Sequence, residues 1–544
     1  MVKDVKIKPD TKIKLEVDEN VTSVENNNDL SEPLLNKVED GIKNEAKENE
    51  AIAETPASVF VNDEDPEPWS PTGNGWHDFL HFVGPGWLVC IAYVDPGNYQ
   101  SDIFSGATAK YNLVFVLWWI TIFSIYVQAL SVRLGLYSQA TLAEVQANDN
   151  PKYLKFFNWV IAEICVILAD LPQVIGCGIA FNVFFGWPYY VGILLSIFTT
   201  ILFLSTLQFG IDKLELIVIF FIGLMSICLF VEMGFVHAKF GEIMRGWAIG
   251  FVDLKGNQAT AITGLLGSIV APHNLYLHSA TLQSTRVKRN ETSVRAAVKY
   301  GSLEPIFPII LTFFINLACI SIAAERVFGK PGAKNVGLTD FCHFFKTLPG
   351  GCVLWGLSLL AAAQSSAITV TYAGQFVLDG FLDIQLSVPT RAILSRVVAI
   401  GPCIIISVIF PDKLNTIVNI TNSVISLLLP FALVPLIKYN CSEVYMGKYA
   451  AKGAEKYILY ILGLGIYLLN AWALSSSGSP IFGFVPGMKV GVLKVFLIIL
   501  EIIVQILYLS WILYTITSPV RAPMRRLEDP RPLDPSFSTS HTLM

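Results

Sequence analysis

Twelve long apolar stretches dominate this chain and leave it little choice but to fold as helices across a bilayer. A membrane-crossing helix needs about 20 predominantly apolar residues. Runs of that kind lie near 82–104, 113–136, 157–183, 187–207, 214–236, 257–284, 298–325, 350–381, 388–411, 414–438, 456–476 and 487–517. They are long and continuous, whereas barrel strands are short and alternate. The fold class is therefore an all-α polytopic membrane protein with about 12 transmembrane helices, and the lipid bilayer is its first partner. Only 15% of the residues are charged, against about 25% in soluble domains, which excludes an ordinary soluble enzyme. No basic stripe exists for nucleic acid to follow.

Charge is unevenly placed. Residues 1–75 hold 8 Lys/Arg and 18 Asp/Glu, a net of −10 in a chain whose total is −5. This stretch has no apolar periodicity and reads as a disordered acidic cytosolic tail. The body then divides into a ten-helix core at 76–440, two additional helices at 441–517 and a cytosolic tail at 518–544. Positive residues favour the cytosolic side. Arg286, Lys288, Arg289, Arg295 and Lys299 follow the sixth span, and Arg521, Arg525, Arg526 and Arg531 follow the last. Both termini are thus expected to be cytosolic. Most of the nine cysteines sit inside apolar runs; Cys342 and Cys352 lie in or beside one polar loop and would form a disulfide if it faces outward.

Two spans are interrupted in corresponding places. The first contains Asp95-Pro96-Gly97-Asn98 and the sixth Ala271-Pro272-His273-Asn274. Pro96 and Pro272 each remove a backbone donor and clash with the preceding turn, and Gly97 further permits unwinding. Unwound backbone at membrane depth is tolerated only where protein buries it or it lines a wet cavity. A matched pair five spans apart points to an inverted-repeat transporter, with spans one to five and six to ten as the repeats (5+5) and two helices added. An intramembrane aspartate is costly without a task or a partner. Asp95, freed carbonyls and the Asn98 amide oxygen make an oxygen-rich cation site.

At these residues the chain resembles the NRAMP family of divalent metal transporters. Besides the first-span tetrad, the similarity rests on Pro272-His273-Asn274-Leu275-Tyr276-Leu277-His278-Ser279, on Gln364-Ser365-Ser366 and Ala373-Gly374-Gln375-Phe376 in the eighth span, and on Leu429-Pro430-Phe431-Ala432 in the tenth. The resemblance implies a LeuT-like fold and import of transition metals such as manganese or iron toward the cytosol, usually with proton co-transport. It places metal ligands on Asp95, Asn98 and the carbonyl of Ala92, and a polar residue that closes over the ion at Asn422. It also implies a proton pathway through Asp95, Glu163, Asp170, His273 and His278. Arg391 and Arg396 match basic residues of the inner vestibule, or else snorkel to the interface.

Two positions depart from the family pattern. Where the family has methionine before Pro-His-Asn, this chain has Ala271, which can offer a carbonyl but no sulfur. A thioether favours transition metals, whereas carboxylate, carbonyl and water suit magnesium, calcium and manganese. Where most members have a third acid along the third span, this chain has Gln173, which cannot carry a proton. The leading expectation is a proton-coupled secondary transporter of the manganese/iron class working by alternating access. The alternative is a magnesium-preferring or broad-selectivity uncoupled relative. A non-transporting signalling protein with the same body is disfavoured by the retained Asp95 and Asn98. No enzyme motif and no cofactor is expected; the metal is cargo. The plasma membrane and endosomal or vacuolar membranes both fit.

Overall fold

The computed structural model describes residues 68–82, 93–206, 226–283, 290–345, 350–384, 388–476 and 492–521, with a few single positions between these stretches. Everything described is helix, turn or loop; the only pairing of extended backbone is an isolated bridge between Trp69 and Val287. The helices used below are α1 (Gly75–His81), α2 (Pro96–Ala109), α3 (Val114–Ser138), α4 (Leu142–Asp149), α5 (Lys152–Phe185), α6 (Tyr189–Thr206), α7 (Ser226–Phe235), α8 (Phe240–Ile249), α9 (Ala259–Ile269), α10 (Pro272–Thr281), α11 (Glu291–Leu303), α12 (Ile306–Arg326), α13 (Gly351–Leu382), α14 (Val388–Ile409), α15 (Leu414–Leu428), α16 (Pro430–Asn440), α17 (Ala454–Ser475) and α18 (Val492–Thr517).

Eight helical stretches among the described residues are long and apolar enough to cross a membrane, counting α11 with α12 and α15 with α16 as one each. Two shorter apolar helices, Tyr189–Leu202 and Ser226–Phe235, fall where the fourth and fifth spans are expected. The sixth span misses the length criterion because it is broken, and of the first span the described residues hold only the part from Tyr93 onward. Asp95 stands in extended conformation (φ −124°, ψ 166°) and caps α2, with Pro96 in the first helical position. In the sixth span α9 ends at Ile269, Ala271 is extended (φ −73°, ψ 133°), and α10 restarts on Pro272. Proline at the first helical position has no partner to lose there, so each of these helices starts where its proline is tolerated.

Two boundaries differ from the sequence reading. The basic residues after the sixth span are not all loop: Arg295 and Lys299 lie on α11, an amphipathic helix N-capped by Asn290 and separated from α12 by Pro305. Its polar face suits an interface rather than a membrane crossing. Likewise the packed body starts before residue 76. Trp69 stacks on His81 and meets Phe82 edge-on, while the Lys288 amide donates to the Trp69 carbonyl at 2.8 Å. An aromatic anchor thus holds residues 69–82 to the segment leaving the sixth span. A disulfide joins Cys342 to Cys352.

The broken helix α2 packs chiefly on α12 and also on α9 and α15, while α5 lies along α13. Small residues set these approaches. A side chain at Gly267 would place its Cβ 1.9 Å from the Asn422 carbonyl oxygen, so only glycine lets α9 reach α15. Overpacking of this kind costs about 1–3 kcal/mol. Gly267→Ala is therefore expected to lower the melting temperature of the detergent-solubilised protein by several degrees; an unchanged melting curve would show that α15 yields freely.

Candidate functional site

The site begins with what the break does to Asp95. As the N-cap of α2, its Oδ1 accepts from the Asn98 amide nitrogen at 2.7 Å, which satisfies a donor that the helix start leaves open. Its Oδ2 accepts from Gln173 Nε2 at 2.8 Å, and the same nitrogen donates to the Ala169 carbonyl at 3.1 Å. Gln173, singled out in the sequence as a missing acid, thus becomes a direct neutral partner of the site carboxylate.

Asn98 is buried, and neither end of its side-chain amide has a partner. A buried amide without hydrogen bonds is costly, so its oxygen is an available ligand one helical turn from Asp95. Asn422 closes the same region from α15. Its Nδ2 donates to the Gly97 carbonyl at 2.7 Å and to Ser101 Oγ at 2.9 Å, pinning the first turns of α2 to α15. Gly97 leaves room for this, since a Cβ there would lie 3.1 Å from Asn422 Oδ1.

Ala271 is buried in a small apolar cluster with Val166, Ala169, Val370 and Ile425. Ala169 is the residue whose carbonyl holds Gln173, so the sixth-span break and the first meet across α5. The Ala271 carbonyl accepts from the Asn274 amide nitrogen at 3.1 Å, which commits one of its lone pairs to the first turn of α10. His273 and Asn274 are also buried; His273 Nδ1 and both ends of the Asn274 amide lack partners. Ala92 lies outside the described residues. Among the described residues no three His, Cys, Asp or Glu side chains gather. The donors at the start of α2 are one carboxylate and neutral oxygens, which suit hard divalent cations.

The expected proton-pathway residues separate into two groups. Glu163 and Asp170 on α5 are ion-paired with α14: Arg391 bonds Glu163, and Arg396 Nη1 lies 3.3 Å from Asp170 Oδ1. Arg391 and Arg396 are 5% and 1% exposed, so neither snorkels. Buried charges need such pairing. His278 stands apart, its Nδ1 donating to Gln128 Oε1 at 2.7 Å in a buried chain that continues through Tyr93 to Ser124. Sequence reasoning missed the Gln173–Asp95 contact, and it missed Asp102, a fully buried aspartate on α2. The seven-residue spacing from Asp95, two helical turns on one face, was the available signal.

A profile of the Natural resistance-associated macrophage protein-like (Nramp) family matches residues 86–476. The chain belongs to the Nramp family. Its members are transporters rather than enzymes, and this chain is an integral membrane protein. It is 34% identical over 430 residues to Metal transporter Nramp1 of Populus trichocarpa, covering 77% of this chain and 79% of that protein. It is 35% identical over 419 residues to Metal transporter Nramp3 of Oryza sativa subsp. japonica, covering 75% and 76%. Among solved structures, the Eremococcus coleocola manganese transporter superposes with a TM-score of 0.72 at 23% identity, over 84% of this chain and 99% of that one. That likeness establishes the fold, and the LeuT-like all-helical class read from the sequence stands with it.

Proposed function

We propose that this Nramp protein carries divalent metal cations of the manganese/iron class toward the cytosol by alternating access, with Asp95 and Asn98 as ligands and protons moving with the metal. The observation that carries the reading is the first-span break, where a capped carboxylate faces a buried amide with no partner of its own. Relatives named as metal transporters support the cargo class. Asn422 pins the break, and Glu163, Asp170, His273 and His278 are the groups we assign to proton movement. Both termini are placed in the cytosol by the basic residues of the connecting segments.

A second reading rests on two residues. Ala271 supplies no sulfur, and Gln173 donates a neutral hydrogen bond where most relatives would have an acid. Together they favour tolerance of hard cations such as magnesium and weaker proton coupling. Manganese uptake into proteoliposomes, with excess magnesium outside and internal pH recorded, separates the two. Poor competition by magnesium with acidification of the lumen supports the coupled manganese/iron transporter. Strong competition at constant pH supports the hard-cation reading, and absence of any metal uptake overturns both.

A further inference from the structure

The connection between α12 and α13 is folded down onto the core helices. With the N-terminus cytosolic, this connection follows the seventh span and lies on the outer face. Its short helix Leu338–Phe341 is seated on α2 and α15. The Leu338 amide donates to Gln100 Oε1 of α2 at 2.9 Å, and the Thr339 amide to Asn415 Oδ1 of α15 at 3.4 Å. Asn415 Nδ2 returns bonds to Thr339 Oγ1 at 2.7 Å, to Asp340 Oδ2 at 3.1 Å and to the Asn335 carbonyl at 3.1 Å. Gly337 makes this seat possible, since a Cβ there would lie 2.2 Å from Gln100 Oε1 and 2.5 Å from Asn415 Cγ.

The two ends of the segment are held by different forces. At its C-terminal end Phe341 is fully buried, meets Trp355 of α13 with ring centroids 4.8 Å apart, and is followed by the Cys342–Cys352 disulfide. Apolar burial and a covalent bond have no equivalent in water. At the N-terminal end, Gly337–Asp340, Leu338 is the one buried apolar side chain. The other contacts there are hydrogen bonds, which water replaces at little net cost. Upstream, Gly329 and Gly332 stand at φ +77° and +84° with open space around them, backbone freedom of the kind a hinge uses. The segment therefore has a fixed pivot at Phe341–Cys342 and an end that can lift at Gly337–Thr339.

What the lifting end covers is polar. Asn415, Asn419 and Asn422 recur at i, i+4 and i+7 along α15, which puts them on one helix face, and all three are buried. The first is bonded to Thr339 and Asp340, and the last donates to the Gly97 carbonyl beside Asp95. A row of amides inside a membrane protein faces the bundle interior or a water-filled path, and such rows mark ion pathways. We infer that Gly337–Asp340 is a hinged lid over an amide-lined outer entrance, which runs along α15 from Asn415 to Asn422 and opens only when the lid lifts. The inference rests on the reading of this protein as a transporter and adds the outer door of its path. Amide oxygens along the row can replace water ligands of an incoming cation one at a time. The seated lid then separates the break from the outer solution, as alternating access requires.

Two measurements on the full chain test the lid. The first locks it: in Thr339→Cys/Asn415→Cys protein, a mild oxidant joins the lid to α15, and manganese uptake into proteoliposomes is compared before and after. Uptake should fall at least about tenfold once the lid is held shut. The second unseats it: Asn419→Cys is labelled with a water-soluble thiol reagent in nanodiscs, with and without Gly337→Ala. The added methyl collides with Gln100 and Asn415, so labelling should quicken at least about tenfold as the closed state loses population. Uptake that the cross-link leaves unchanged, or labelling that Gly337→Ala leaves unchanged, overturns the inference. If Gly337→Ala does not fold, Asn415→Ala removes the bonds of the lifting end, and unchanged labelling in that variant overturns it equally. Absence of manganese uptake by wild-type protein would sink the transport reading, while faster labelling in the unseated variant would leave the lid standing.

Discussion

Replacing Asp95 with alanine is expected to abolish uptake of every divalent cation, a fall of at least about a hundredfold, since even the outer partners of a metal ligand are worth 10–100-fold in affinity. The carboxylate is the only formal negative charge that the break itself presents, and neutral oxygens alone cannot balance a dication against desolvation. Asp95 has a second task, however. It caps α2 through the Asn98 amide, and loss of such a cap costs about 0.5–2 kcal/mol. Alanine therefore removes a charge and a helix cap together. Asp95→Asn separates them, because asparagine caps as well as aspartate but carries no charge. Folding should survive in Asp95→Asn, with an ordinary melting temperature and monodisperse elution, while uptake is lost. If Asp95→Asn transports at wild-type rates, the ion is not bound by this carboxylate and the site assignment is wrong.

Much of this site was legible because breaking a membrane helix leaves a strong mark. Proline with an aspartate or a histidine-asparagine pair beside it, inside an apolar run, has few physical excuses: the sixth span stops at Ile269 and restarts on Pro272, and α2 starts on Pro96 behind an extended Asp95. Individual partners were not legible, because they depend on which faces of distant helices meet. Nothing in the local sequence says that Gln173 donates to Asp95 across 78 positions, or that Arg391 and Arg396 turn inward to meet Glu163 and Asp170 rather than reach for the interface. Snorkelling is a single-helix argument, and pairing is decided by the neighbouring helix. The amphipathic α11 was hidden for another reason: its basic residues satisfy the rule for cytosolic loops equally well as loop or as interfacial helix. Asp102 escaped because a lone acid in an otherwise polar stretch, Gln100-Ser101-Asp102, reads as the end of a span until its burial is known.

Replacing Ala271 with methionine should shift selectivity toward manganese and cadmium over magnesium, by on the order of tenfold, or about 1.4 kcal/mol. The residue sits at the start of α10 with its carbonyl already engaged by the Asn274 amide nitrogen, so in the native chain its contribution to an ion is limited. A thioether would add a soft donor beside hard ones, which discriminates between transition metals and magnesium. Space is the competing consideration. Ala271 is enclosed with Val166, Ala169, Val370 and Ile425, and a longer side chain must either thread toward the break or push those residues apart. Methionine is unbranched and adapts to irregular gaps, whereas leucine of similar volume has neither the sulfur nor the flexibility. Ala271→Leu is therefore the control: it tests size without softness. A selectivity shift in Ala271→Met that Ala271→Leu does not share identifies the sulfur as the cause. Equal shifts in both would assign the effect to the size of the cavity, and no shift in either, with uptake intact, would mean that the residue 271 side chain does not face the ion.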